Sequence, residues 1–142
     1  MDNSPQVDSP EKDLVLKHFE HVVRDTINSI PPEYFSKIEN LAIMVSQWPT
    51  RDELDRAHVN PGGLLFGLYT GIPRVKRGSN YQALPDKIMI YAGPILAISR
   101  NWDEVKNQIR STILHEIGHY FGLSEDEIRN AEKERRENNY GR

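Results

Sequence analysis

The sequence predicts an α+β domain, helices packed on a small mixed sheet, and three observations carry that expectation. A long amphipathic helix pattern opens the chain, short apolar strand patterns fill its middle, and capped helix patterns occupy its last third. At 142 residues the chain is the size of one domain and can bury most of its apolar surface in a single core. The expected organisation is a flexible tail over 1–8, one domain over 9–137 and a flexible tail over 138–142.

Each element has its own warrant. Ser9 is placed to cap a helix with Pro10 in its first turn, and Leu16, Phe19, Val23, Ile27 and Ile30 recur at helical spacing until Pro31 and Pro32 end it. PPEYFSKI reads as a short turn or helix leading into Asn40–Gln47, whose compact apolar run predicts a buried strand. TRDELDRAHV suits one or two helical turns before the Asn60-Pro61-Gly62-Gly63 loop, and LLFGLYTG resumes a strand whose glycines suggest a bend. Residues 72–85 read as a strand end and a polar loop, and DKIMIYAG as a strand alternating about Ile88 and Ile90. PILAISR and the stretch from Asp103 to about Phe121 read as helices. A last helix begins at Ser124, with Glu127 completing a capping box.

Composition excludes several classes. The chain has no cysteine, so disulfides and thiolate zinc sites are ruled out and any zinc must be held by imidazole and carboxylate. A net charge of −3 gives no electrostatic reason to expect nucleic acid. The N-terminus MDNSPQVDSPEKD lacks the basic start and apolar run of a signal peptide, and no later run approaches membrane-spanning length. A cytoplasmic protein without membrane contact is expected, and a monomer.

The chemistry concentrates in HEIGHYFGLSEDE, His115 to Glu127. Successive helical residues turn by about 100°, so His115 and His119 lie roughly 40° apart on one face and can reach one metal ion. Val105, Ile109, Ile113 and Ile117 mark a neighbouring arc that the core can bury. Glu116 points between the histidines, where a carboxylate can take a proton from water activated at the metal. Gly122 sits where a left-handed residue reverses the chain, which returns Ser124, Glu125 and Asp126 toward the histidines. Zinc accepts a carboxylate as third ligand. Glu125 is the better placed candidate and Asp126 the lower-ranked one, although negative charge at a helix start is also favoured by the helix dipole. One zinc per chain is expected, with cobalt or manganese able to substitute.

Other candidates have plainer readings. His18 and His21 share a helix face but no base or turn accompanies them, His58 falls in a loop, and Arg74, Lys76 and Arg77 suit a solvated strand end. Trp48 and Trp102 read as core-edge packing.

The segments GLYTGIP, ALPDKIMIYAGPI and ILHEIGHYFGLSEDEI together resemble the small bacterial zincin-like metallopeptidases, a family with a minimal zincin fold. The resemblance spans Leu64 to about Ile128 and, more loosely, the first helix and PPEYFSKIENLAIMV. The family pattern is H-E-x-x-H-x-x-G-x-x-D. His115, Glu116, His119 and Gly122 match it directly, and Glu125 stands in the aspartate's place with one more methylene. The resemblance implies a small mixed sheet with the motif helix lying across it. The methionine turn of larger relatives is not expected, since none of Met1, Met44 and Met89 follows the motif. The leading expectation is zinc-dependent peptide-bond hydrolysis with Glu116 as base and a peptide or protein as substrate. An edge strand within Leu64–Tyr69 would hold that substrate. A zinc-stabilised binding module and a metal-dependent endoribonuclease are the alternatives. The second typically carries three histidines without a glutamate after the first.

Overall fold

The computed structural model describes residues 10–71 and 86–140. In chain order the elements are α1 (Pro10–Ser29), a single 3-10 turn at Pro32–Tyr34, β1 (Leu41–Ser46), α2 (Arg51–Arg56), β2 (Gly67–Thr70), β3 (Asp86–Tyr91), α3 (Ala92–Ile98), α4 (Trp102–Tyr120) and α5 (Glu125–Tyr140). The strands form one mixed sheet in the order β1-β3-β2, β1 running parallel and β2 antiparallel to β3. This is the expected α+β architecture with the motif on a helix of the C-terminal half.

β3 is central, and Ile88 and Ile90 are wholly buried on the face that receives the helices. Phe19 and Val23 of α1, Ile95 of α3, and Val105, Ile109, Ile113 and Ile117 of α4 complete the core. The α4 residues recur every four positions, which holds one face of the helix inward along its whole length. Each such side chain stabilises by about 1.5–3 kcal/mol on burial, so α4 is anchored at four points before any polar contact is counted.

Several expectations need correction. β1 is not a buried strand: Met44 is 47% exposed, because among the described residues β1 lies at the edge of the sheet and turns Leu41, Ile43 and Val45 to the core. β2 is shorter than LLFGLYTG suggested, since β3 turns into α3 after Tyr91 and leaves no partner for residues before Phe66, whose carbonyl accepts from the Tyr91 amide. α1 buries Val22 and Thr26 while Leu16 and Ile27 lie at the core margin; the Thr26 hydroxyl is satisfied by the Val22 carbonyl at 2.6 Å. The last helix, α5, extends to Tyr140. The Ser9 cap, the 1–8 tail, the 72–85 segment with Arg74, Lys76 and Arg77, and residues 141–142 lie outside the described residues.

Candidate metal centre

α4 starts cleanly: the Asn101 side chain accepts from the Glu104 amide at 2.9 Å. Its other end is closed by a paired backbone cap in which the Gly122 amide donates to the His119 carbonyl and the Leu123 amide to the Gly118 carbonyl. That pattern needs a left-handed residue, and Gly122 supplies it with φ of 85°. Two residues later Ser124 caps α5, its hydroxyl accepting from the Glu127 amide while the Glu127 carboxylate accepts from the Ser124 amide. The reversal is therefore fixed from both sides, and it carries Glu125 back over the last two turns of α4.

One carboxylate oxygen meets both rings there. Glu125 Oε1 lies 2.6 Å from His119 Nε2 and 3.0 Å from His115 Nε2. Asp126 makes no hydrogen bond or ion pair with either ring among the described residues. The far nitrogen of His119, Nδ1, faces the Leu123 carbonyl at 3.2 Å. A carbonyl only accepts, so the proton of neutral His119 belongs on Nδ1 and the Nε2 lone pair points at a carboxylate. Only a second proton or a cation can reconcile two acceptors at that distance. Ligand atoms about 2.0–2.1 Å from a tetrahedral zinc stand about 3.3 Å apart, so the carboxylate oxygen would have to draw back by about 0.7 Å from His119 Nε2 and about 0.3 Å from His115 Nε2. The donor set, two imidazoles and a carboxylate without sulfur, suits zinc.

Glu116 belongs to the same cluster, its carboxylate within 4.8 Å of the ligand atoms of His115 and His119. It is differently held. Only 7% exposed, it accepts through Oε1 from the Tyr69 amide of β2 at 2.7 Å. Burial pushes its carboxyl above the usual range, against that hydrogen bond and the positive charge of the two histidines. Burial also pushes Glu125 up, but hydrogen bonds and charge from His115 and His119 outweigh it and hold Glu125 below the ordinary value. For His115 burial acts downward, and the carboxylates of Glu125, Glu116 and Glu132 more than reverse it.

The trio opens into a cleft of about 1050 Å³ walled by α4, β2, the α4–α5 turn and the loop after α2. Three residues escaped the sequence reading, two lining the cleft and one behind His115. The Tyr69 amide was invisible because its role depends on how a strand docks on a helix. His58, read as a loop residue, lines the cleft in a left-handed conformation with φ of 58°. Glu132 approaches His115 Nδ1 at 3.4 Å, and its seven-residue spacing from Glu125 was the available signal. The remaining candidates stay apart: His18 packs edge-on against Trp102 with ring centroids 4.2 Å apart, and Trp48 covers Gly93.

Comparison with known proteins agrees with this geometry. A conserved hypothetical protein from Thermus thermophilus superposes with a TM-score of 0.52 at 19% identity, covering 74% of this chain and 92% of that one, and so shares the fold. Among curated proteins none matches the sequence. Residues 38–135, well over half of the chain and the whole of the sheet and site, match the zincin-like metallopeptidases, and this chain belongs to that family.

Proposed function

We propose that the chain is a zinc-dependent peptidase, with zinc held by His115 Nε2, His119 Nε2 and Glu125 and with Glu116 as general base. The observation that carries this reading is the convergence of two imidazole nitrogens on one carboxylate oxygen beside a second, buried carboxylate anchored elsewhere. When bound, zinc supplies a Lewis acid that polarises the scissile carbonyl and makes water more acidic. Glu116 handles the proton. With Oε1 fixed by the Tyr69 amide, Oε2 is free to take a proton from the attacking water and return it to the departing amine. A carboxyl raised by burial suits that double task, because a group that must both accept and donate works best with a pKa drawn toward the operating pH.

Among the described residues β2 lies at the edge of the sheet and borders the cleft, and apart from the Tyr69 amide, which Glu116 occupies, an extended peptide can lie along it as an added strand. Leu64 and Leu123, both partly exposed on the cleft wall, favour apolar substrate side chains. Among the described residues the arginines lining the cleft, Arg56 and Arg129, each sit beside a carboxylate, Asp52 at 3.0 Å and Glu125 at 3.8 Å, which leaves them little uncompensated charge for a phosphate backbone. A binding module stabilised by zinc would gain nothing from burying Glu116, since an interior carboxylate disfavours the fold.

The test is Glu116→Gln assayed on an unbiased peptide mixture. The variant should keep about one zinc per chain and lose about 10²–10⁴-fold in turnover. Undiminished cleavage removes Glu116 from the mechanism. A zinc-loaded wild type that cleaves nothing in the mixture shifts the reading to the binding module.

A further inference from the structure

We propose that Glu132 is a positioning residue for His115, gripping the ring at Nδ1 so that Nε2 is delivered to the metal; the inference rests on the zinc reading above. Glu125 and Glu132 are seven residues apart on α5, hence roughly 20° apart on one face and about 10.5 Å apart along the axis. His115 lies between them. Its Nε2 is 3.0 Å from Glu125 Oε1 and its Nδ1 is 3.4 Å from Glu132 Oε2. One imidazole is thus held at both nitrogens by carboxylates two turns apart on a single helix.

The docking of α5 on α4 makes this possible. Ile128, buried between the two glutamates, packs against Gly118, where a Cβ would come within 2.9 Å of the Ile128 side chain. The absence of a side chain at Gly118 lets α5 approach closely enough for both carboxylates to reach one ring. Glu132 is itself sheltered, its side chain 24% exposed like that of His115, so the contact is not one of the freely solvated ion pairs that contribute little.

The chemistry follows from the ring's two nitrogens. A neutral imidazole carries one proton; an acceptor at Nδ1 keeps the proton there and leaves the lone pair on Nε2. His119 receives the same service from the Leu123 carbonyl. A carboxylate is the stronger acceptor, so it also makes the far nitrogen a better donor to the metal. The Leu123 carbonyl thus sets the tautomer of His119 outright, whereas His115 faces Glu125 at Nε2 (3.0 Å) and Glu132 at Nδ1 (3.4 Å), so that with a metal taking the Nε2 lone pair its proton is left on Nδ1 against Glu132.

The experiment compares wild type, Glu132→Ala, Glu132→Gln and the exposed control Glu134→Ala by chelator competition for zinc and by nitrogen-15 spectra of the histidine side chains. Glu132→Ala should weaken zinc binding about 10–100-fold. The His115 Nδ1–H resonance of the zinc form should move upfield and exchange faster with water. Glu132→Gln keeps an acceptor oxygen and should recover part of both effects, while Glu134→Ala should match wild type. Wild-type affinity in Glu132→Ala overturns the inference, and so does weakened binding with an unchanged His115 resonance, which would mean only loosened packing. A wild type that takes up no zinc overturns the zinc reading together with this one, whereas the first two results leave the zinc reading standing.

Discussion

At His115 and His119 the difference between a metal ligand and a surface histidine lies in which nitrogen carries the proton. Nδ1 of each ring faces an oxygen, and Nε2 of each faces Glu125. Glu125 also stands in the first turn of α5, where a negative charge is worth about 0.3–1 kcal/mol whatever else it does. The two roles separate on substitution. On the proposed ligand set Glu125→Ala should weaken zinc binding by orders of magnitude, while Asp126→Ala should bind as wild type. Ser124→Ala should cost about 1 kcal/mol of stability through the lost cap and leave the affinity nearly intact. Chelator competition ranks the variants, and retained affinity in Glu125→Ala would remove it from the ligand set. The convergence of His115, Glu116, His119 and Glu125 was legible in the sequence because helical periodicity and the Gly122 turn are local. Tyr69, His58 and Glu132 depend on how separate elements dock, which spacing along the chain does not encode.

Docking of α4 on β2 is fixed at two points one helical turn apart. Thr112 meets Gly67, and four residues on Glu116 meets the amide of Tyr69, two residues on. Four helical residues rise about 6.0 Å and two strand residues about 6.6–6.8 Å, so the two contacts stay nearly in step. A Cβ at Gly67 would overlap Thr112 Cγ2 and stand 3.0 Å from the Met89 carbonyl. Thr112 is buried and β-branched, and has little room to turn aside. Gly67→Ala should therefore lift α4 from β2, cost about 1–3 kcal/mol and reduce turnover by separating Glu116 from Tyr69. Adding Thr112→Ser removes the offending methyl while keeping the hydroxyl that Gln108 donates to, and should restore both. Thermal unfolding and peptide cleavage by the single and double variants check this; a double variant no better than Gly67→Ala would mean the overlap is not the cause. The sequence flagged a glycine inside this strand as a bend, whereas its observed use is close approach to a helix. Strand patterning likewise located β1 without revealing that it lies at an edge, because the same apolar run suits either place until the sheet order is known.

Across the whole molecule, the charges gathered at the site make stability depend on pH in a way that zinc should reverse. In zinc-free protein His115 is held above its ordinary pKa, chiefly by Glu125 once burial is overcome. A raised folded pKa means that its contribution is complete below about 6.5, the unfolded value, and is lost as pH rises through the folded one. Glu125 is depressed, so its contribution is present above about 4.3 and is lost as pH falls through its folded value. Glu116, raised by burial, loses its contribution as pH rises through its own folded value and thereafter burdens the fold. Two consequences follow for protein kept in chelator: stability should decline from pH 6 to pH 8, and Glu116→Gln should be the more stable protein at pH 7. Zinc works in the opposite sense, since it binds neutral imidazole and must displace the proton from His115, so its affinity rises over the same interval. At a hundredfold excess over its dissociation constant zinc adds about 2.7 kcal/mol, and the increment should grow between pH 6 and pH 8 at fixed zinc. Thermal unfolding with chelator and with zinc across that range measures both slopes. A zinc increment that stays flat from pH 6 to pH 8 would mean that the metal displaces no proton from these rings and is bound elsewhere.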